Sequence, residues 1–280
     1  MDNNEISILK NTSEAVKNFS DVIQKFFQPS PLDLAIAEGH KQIIENAIDG
    51  KKINPDVVDF LCGYKKFINQ QKRCKSIANK AKEFIENTAE PENISEDWLE
   101  FFFDKAKLVC NDDMQLIWAK LLSEEANNPG TINPSLLHTM SIMRYDQALF
   151  FSNISRFVLR EFKKDNVHLL IFIRHTDSDI TPSKLKDLER LGLIECNFEK
   201  EYIFKNKKWL TYGNKVLTIF GDPKNNKKIK AGNVIFTYDG EKLYSLINQS
   251  CEYSSEILDY IIQQFKSRNC RICVNGKEIM

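Results

Sequence analysis

The sequence carries no net charge, little glycine or proline, and no long apolar run. Its 39 Lys and Arg are matched by 39 Asp and Glu over 280 residues, which excludes a globally basic nucleic-acid coat. Ten Gly and eight Pro, in a chain 42% hydrophobic and 28% charged, exclude collagen-like, linker and disordered classes. The longest apolar stretch, Leu169 to Ile173 extended by Val167 across His168, falls far short of the ~20 residues that span a bilayer. The acidic start Met1-Asp2-Asn3-Asn4-Glu5 is followed by no apolar segment, so no secretory signal is expected. Seven cysteines, at 62, 74, 110, 196, 251, 270 and 273, are scattered and odd in number. That usage fits reduced thiols in a cytoplasmic protein.

Catalytic and metal-binding signatures are equally sparse. Cys270 and Cys273 are the one closely spaced pair, and a zinc site needs a second pair of ligands at comparable spacing. The four histidines (40, 138, 168 and 175) form no H-E-x-x-H and no i,i+4 pair. Nucleophile elbows and glycine-rich phosphate loops are missing. Cys110 has Asp112 and Asp113 nearby, and neighbouring acids raise a thiol pKa rather than lower it. Glu96, Glu100 and Asp104 recur every four residues and so share one helix face, where a Mg²⁺ site would draw its acids from different elements. His175-Thr176-Asp177-Ser178-Asp179 reads as a polar turn. No catalytic, cofactor-binding or metal-binding residue is assigned.

What is present is helical periodicity, then a change of period. Residues 1–30 form an amphipathic helix with Leu9, Val16, Phe19, Ile23 and Phe26 at a/d spacing. The stripe fits a helix packed on its own core or an oligomerisation seam; four acids against three bases argue against an anionic membrane. A small-residue helix follows the Pro29–Pro31 bend, over about 32–48. The pattern from Asp56 to about Asn87 predicts a helix of roughly 50 Å that packs on another element or breaks near Gly63. Lys65, Lys66, Lys72, Arg73, Lys75, Lys80 and Lys82 lie along it as a basic run, read as a solvated face with phosphate contact as the alternative. Capped helices follow from Ser95, Asn111 and Asn133-Pro134, and a fourth is expected over Asp146–Phe162. Beyond about 163, alternating stretches predict strands around 202–209, 215–220 and 233–237. The run 167–173 fits either a buried strand or a buried helix.

Two resemblances attach to these segments. The stretch Trp98 … Phe102-Phe103 … Gln115-Leu116-Ile117-Trp118-Ala119-Lys120-Leu121-Leu122-Ser123-Glu124-Glu125 … Pro129-Gly130 … Asp146-Gln147-Ala148-Leu149-Phe150 resembles an uncharacterised bacterial family, domain of unknown function 2806. Ala35-Ile36-Ala37-Glu38 is similar to that family's N-terminal element. The likeness is good over residues 20–155 and loose beyond. Glu124 stands where the family usually has Gly, and Asn133-Pro134-Ser135-Leu136-Leu137 replaces a segment that generally carries Arg. The matched aromatics read as packing. The resemblance implies a cytoplasmic bacterial protein with no assigned reaction, and a likeness in helical pattern to abortive-infection proteins suggests phage defence. The second resemblance is to a winged helix: a helix ending Leu188-Glu189-Arg190-Leu191-Gly192-Leu193-Ile194, a β-ribbon, then Phe236-Thr237-Tyr238-Asp239-Gly240.

Charge is distributed unevenly. The first 160 residues lean acidic and the remainder basic to the same extent; between 201 and 230, eight lysines (205, 207, 208, 215, 224, 227, 228 and 230) face only Glu201 and Asp222. Lys224, Lys227, Lys228 and Lys230 are expected at a hairpin tip, the wing, with Lys184, Lys186 and Arg190 on the helix that would enter a groove. The expectation is a mainly α protein: an N-terminal helix (1–30), a helical domain (31–163) and a smaller α+β, winged-helix-like domain (164–280). The leading function is a non-enzymatic interaction or regulatory module binding a protein partner or itself. The alternatives are a nucleic-acid binder using the basic wing and a toxin-like hydrolase with an unrecognised site.

Overall fold

A computed structural model describes residues 3–48, 55–161, 170–171, 180–196, 203–224, 226–230, 232, 234–247 and 254–279. The chain divides into two compact units, Met1–Ser141 and Ile142–Met280. It is mainly helical, with an α+β C-terminal part. His168, His175 and the polar cluster up to Asp179 lie outside the described residues.

The first unit contains α1 (Asn3–Phe26), α2 (Pro31–Ile48), α3 (Pro55–Ala81), α4 (Glu96–Ala106), α5 (Asp112–Asn127) and α6 (Pro134–Ile142). Two short 3₁₀ turns, Lys82–Phe84 and Pro91–Asn93, separate α3 from α4. α3 runs unbroken through Gly63 for 27 residues, about 40 Å. Only its C-terminal half is in the core, where Cys74, Ile77, Ala78 and Ala81 are buried against α5. The centre is aromatic. Trp98 stacks on Phe102 at 5.1 Å, and the fully buried Trp118 meets Phe102 edge-on at 5.2 Å. α1 closes the cluster: Phe26 and Phe27 lie 5.2 and 4.7 Å from Phe103.

One polar group organises this core. Glu125, near the end of α5, is buried, and its two carboxylate oxygens accept from the Gly130 and Ile132 backbone N–H groups at 2.6 and 2.8 Å. Trp98 Nε1 donates to the Ile132 carbonyl at 2.9 Å from the other side. The Pro129-Gly130 turn is thus held between α5 and α4. Gly130 adopts φ +83°, a conformation that side chains disfavour.

The second unit begins with α7 (Tyr145–Ile154) and β1 (Val158–Glu161). The helix expected through Phe162 therefore stops at Ile154, and the helical region does not reach 163. Val158 and Leu159 pair with Ile171 and Leu170 of β2 (Leu170–Ile171), while Arg160 and Glu161 pair with β5 on the other side. Strand pairing on both edges of β1 outweighs the apolar spacing that suggested a helix. For 167–173, the described pair 170–171 is a strand.

The remaining elements are α8 (Pro182–Arg190), β3 (Ile194–Cys196), β4 (Ile203–Lys205), β5 (Lys207–Tyr212), β6 (Lys215–Phe220), β7 (Lys228–Lys230), β8 (Val234–Phe236), α9 (Tyr238–Ile247), α10 (Ser255–Lys266), β9 (Arg271–Val274) and β10 (Lys277–Glu278). An eight-stranded antiparallel sheet has the order β10-β9-β6-β5-β1-β2-β8-β3, and β4 pairs with β7 as a separate ribbon. Leu210, Tyr212, Leu217, Ile219 and Ile272 are buried on one face of the β5-β6-β9 half, and α10, which packs on β9, buries Ile257, Leu258, Ile261 and Phe265. On the other half, Phe236 of β8 meets Phe151 of α7 and Tyr244 of α9 at 5.1 and 5.4 Å. The start of α9 docks on the end of α8. Thr237 Oγ1 accepts from the Gly240 N–H, and a Cβ on Gly240 would lie 1.8 Å from the Leu193 carbonyl oxygen, so this position demands glycine.

Replacing Glu125 leaves the buried Ile132 N–H and the Gly130 N–H without their acceptor. Glu125→Ala is expected to cost about 2–4 kcal/mol in urea unfolding, with the slope unchanged. Burial holds the Glu125 carboxyl above its usual value, so the folded chain binds that proton more tightly than the unfolded one. The group's stabilisation is then greatest below the ordinary carboxyl range and is lost as the pH rises through the folded value. The cost of Glu125→Ala should accordingly grow as the pH is lowered from neutrality towards 4.5, the ordinary value for the group. A cost that shrinks over that range would contradict the assignment.

Candidate functional site

The local sequence builds α2 as a well-formed helix. Ser30 caps it, Pro31 is its first residue, and Asp33 completes a reciprocal box: Asp33 Oδ2 accepts from the Ser30 N–H at 2.8 Å, and the Asp33 N–H donates to Ser30 Oγ at 3.1 Å. The hydrogen bonds from Ser30 hold the Asp33 carboxyl below its usual range. What the helix lacks is burial. Every described side chain on it is exposed or half-exposed, including Leu32 at 69%, Leu34 at 58%, Ile36 and Ile43. Apolar residues on more than one face normally mark a helix enclosed by other elements.

The outer half of α3 continues the same surface. Val58 and Tyr64 are exposed and Phe67 is 52% exposed. The two helices touch through His40, whose ring lies 4.3 Å from Phe60, and an open groove of ≈ 560 Å³ is lined by Leu34, Ala37, His40, Ile44 and Tyr64 with Glu38, Glu45 and Lys41, the last paired with Glu38 at 3.7 Å. Charge differs between the helices. α2 carries Asp33, Glu38 and Glu45 against Lys41; α3 carries Lys65, Lys66, Lys72, Arg73, Lys75 and Lys80 against Asp56 and Asp59. The inner members of that basic run serve the fold: Arg73 donates to the Lys107 carbonyl at 3.2 Å, and Lys80 reaches Asp112 and Gln115 at 2.9 and 3.0 Å. Lys65, Lys66, Lys72 and Lys75 are exposed.

The residues singled out from sequence are dispersed. Of the a/d stripe on α1, Phe19 is fully buried, Ile23 is buried, Val16 is half-buried and Phe26 stacks on Phe103, so these side chains face their own unit. The side chain of Leu9 lies outside the described ones. On α8, capped by Thr181 accepting from the Lys184 N–H at 3.3 Å, Leu185 and Leu188 point inward while Lys184, Lys186 and Arg190 are exposed. Two of these cations have companions: Arg190 pairs with Asp187 at 3.2 Å, and Lys184 lies 5.5 Å over the Phe150 ring. Lys224 and Lys227 are exposed in the loop after β6, but Lys228 and Lys230 are not at a hairpin tip. They belong to β7, because the buried Ile229 between them gives that segment a strand's alternation.

The other candidates carry no constellation. Among the described residues no three His, Cys, Asp or Glu side chains come together as a metal site. Glu96, Glu100 and Asp104 are exposed on α4, and hydrogen bonds from Lys107 and Lys105 hold Asp104 below the ordinary carboxylate range. Nor is any described helix long and apolar enough to cross a membrane. Sequence reasoning missed the α2–α3 surface; its signal was Leu32, Leu34 and Ile36 set two apart on a helix, which no single buried face can absorb.

With this geometry in hand the chain can be placed. It combines an aromatic-cored helical unit with an antiparallel α+β unit. Residues 64–258 match the family described as Protein of unknown function (DUF2806), and the chain belongs to that family. The match reaches deep into the second unit and leaves out α2. No curated protein and no solved structure matches the chain.

The thiols separate by environment. Burial pushes the Cys74 thiol up to about 11 and Cys196 to about 12, the latter helped by Glu189, and Cys270 is also raised. Cys62 and Cys110 are exposed. Treatment of the native protein with iodoacetamide at pH 8, read by peptide mass spectrometry, should label Cys62 and Cys110 first and spare Cys74, Cys196 and Cys270 until unfolding.

Proposed function

We propose that the protein is a non-enzymatic interaction module that pairs with a second copy of itself through α2 and the outer half of α3. The observation that carries this reading is the concentration of exposed apolar side chains on those two helices. Leu32, Leu34, Ile36, Ile43, Val58 and Phe67 are all exposed, more large apolar side chains than a solvated helix pair requires. Its charges are self-complementary. A two-fold arrangement would set Glu38 and Glu45 on α2 of one copy against Lys65 and Lys66 on α3 of the other, twice over. The acids of α2 count against an anionic lipid surface as the occupant.

The module is read as regulatory and cytoplasmic, the latter in keeping with the free thiols at Cys62, Cys74, Cys110, Cys196, Cys270 and Cys273. Phage defence is the setting attached to this reading, on the likeness in helical pattern alone. The second unit is taken as winged-helix-like because α8 lies between β2 and β3, which flank β8, and α9 follows.

Analytical ultracentrifugation at micromolar concentration should give twice the 32.5 kDa chain mass. Leu34→Glu combined with Ile43→Glu should weaken the dimer about a hundredfold or more, since each side chain contributes ~1.5–3 kcal/mol when buried. Glu38→Lys with Glu45→Lys should also weaken it, and adding Lys65→Glu and Lys66→Glu should restore it. A wild-type chain that stays monomeric, or a dimer indifferent to these changes, would overturn the reading.

A further inference from the structure

A second surface, on the β5-β6-β9 half of the sheet, has a different chemistry. The strand register sets Lys207 beside Phe220 and Phe220 beside Arg271, with Trp209, Thr218 and Cys273 in the next row on the same face. The opposite face holds Leu210, Leu217, Ile219 and Ile272 in the core. Trp209 is 47% exposed although it sits within a three-stranded stretch of sheet, and it is the least buried of the three tryptophans. Cations frame the rings. Lys207 Nζ lies 4.6 Å from the Trp209 ring centre and 5.2 Å from that of Phe220, and the Arg271 guanidinium lies 4.5 Å over Phe220.

The basic charge continues off the edge of this plate along the β4–β7 ribbon. Lys205, exposed on β4, stands opposite Lys228 in the register. The junction is tightly built. Asn206, at φ +65°, donates its N–H to the Lys227 carbonyl at 2.8 Å, and its own carbonyl accepts from the Gly221 N–H at 2.8 Å. A Cβ on Gly221 would lie 1.9 Å from the Lys227 oxygen, so only glycine lets this loop fold back on β5 and bring exposed Lys224 and Lys227 close to the plate. Among the described residues the acids here are Asp222, which accepts from the Lys224 N–H, and Glu278, 3.5 Å from Arg271.

An exposed tryptophan beside a half-buried phenylalanine, with cations over both rings, fits a polyanion with stackable faces. We infer that the Trp209–Phe220 face binds single-stranded nucleic acid, with a base stacking on Trp209 and phosphates met by Lys205, Lys207, Lys224 and Lys227. This assigns the basic segment a use other than a wing beside a groove-reading helix, and it is independent of self-association through α2 and α3. Duplex DNA cannot use the platform, because its bases are already stacked.

The test is a titration of the full chain with fluorescein-labelled (dT)₁₂ and (U)₁₂, a twelve-base-pair duplex, poly-glutamate, and phosphatidylserine vesicles. Anisotropy and tryptophan emission are read together. Single strands should bind and quench emission, and the duplex should bind at least tenfold more weakly. Trp209→Ala should weaken single-strand binding about tenfold or more while leaving the salt slope unchanged. Lys224→Gln with Lys227→Gln should instead reduce that slope by about 1.4, at ~0.7 for each phosphate no longer neutralised. Trp209→Phe, which keeps an aromatic ring, should retain most of the affinity and guards against misreading a folding defect. Duplex binding as tight as single-strand binding, equal quenching by poly-glutamate or vesicles, no binding at all, or indifference to Trp209→Ala would each overturn the inference.

Discussion

The helical unit depends on a buried carboxylate. Glu125 is buried, where an isolated charge or an unpaired acid is costly, and two backbone N–H groups compensate for that burial. The bond has long reach because the turn it holds also presents the Ile132 carbonyl to Trp98. One acid therefore fixes the end of α5, the start of α6 and the rotation of α4. The Trp98-Phe102-Trp118 stack then has a defined shape to fill, and α1 has a fixed aromatic wall in Phe103 to pack against. The run of Trp98, Phe102-Phe103 and Glu125 followed by Pro129-Gly130 describes a fold: an acid, the turn it holds and a tryptophan bonded to that turn.

Much of the fold was legible in the sequence, for reasons that differ by region. The capped helices of the first unit announced themselves through Asn111, Pro134 and the spacing of their aromatics, and β6 through its alternating stretch. The single strand expected around 202–209 is instead divided into β4, which pairs with β7, and β5, which pairs with β6. The end of α7 was not legible. Ile154, Phe157 and Val158 keep a helical spacing, and only the pairing of Val158 with Ile171, contributed from elsewhere in the chain, makes that segment a strand. Lys228 and Lys230 were misplaced for a related reason: their lysines suggested a tip, while the single buried Ile229 decided for a strand.

The surfaces were harder to read than the core. An amphipathic stripe such as that on α1 attracts attention because it is regular, yet regularity is what a helix buried against its own domain also shows. α2 is irregular, with apolar residues on several sides, and a helix of that kind announces itself only once its neighbours are known. The aromatic plate was hidden in another way. Lys207-Lys208-Trp209 looks uniformly basic along the chain, but the sheet sends Lys208 inward to Glu161 and leaves Lys207 and Trp209 together outside. Linear charge counting merges two faces that the pleat separates.

The unbroken course of α3 has a mechanical side. A helix anchored over its last turns and free over its first ones is a cantilever, stiff enough that what grips the tip is felt at the root. Whatever occupies the outer half around Phe67 draws on the same rigid rod that ends among Ile77 and Ala81. If two copies pair there as proposed, pairing stabilises the folded unit by mass action, so its thermal midpoint would rise with chain concentration. The molecule would report its own concentration through its stability.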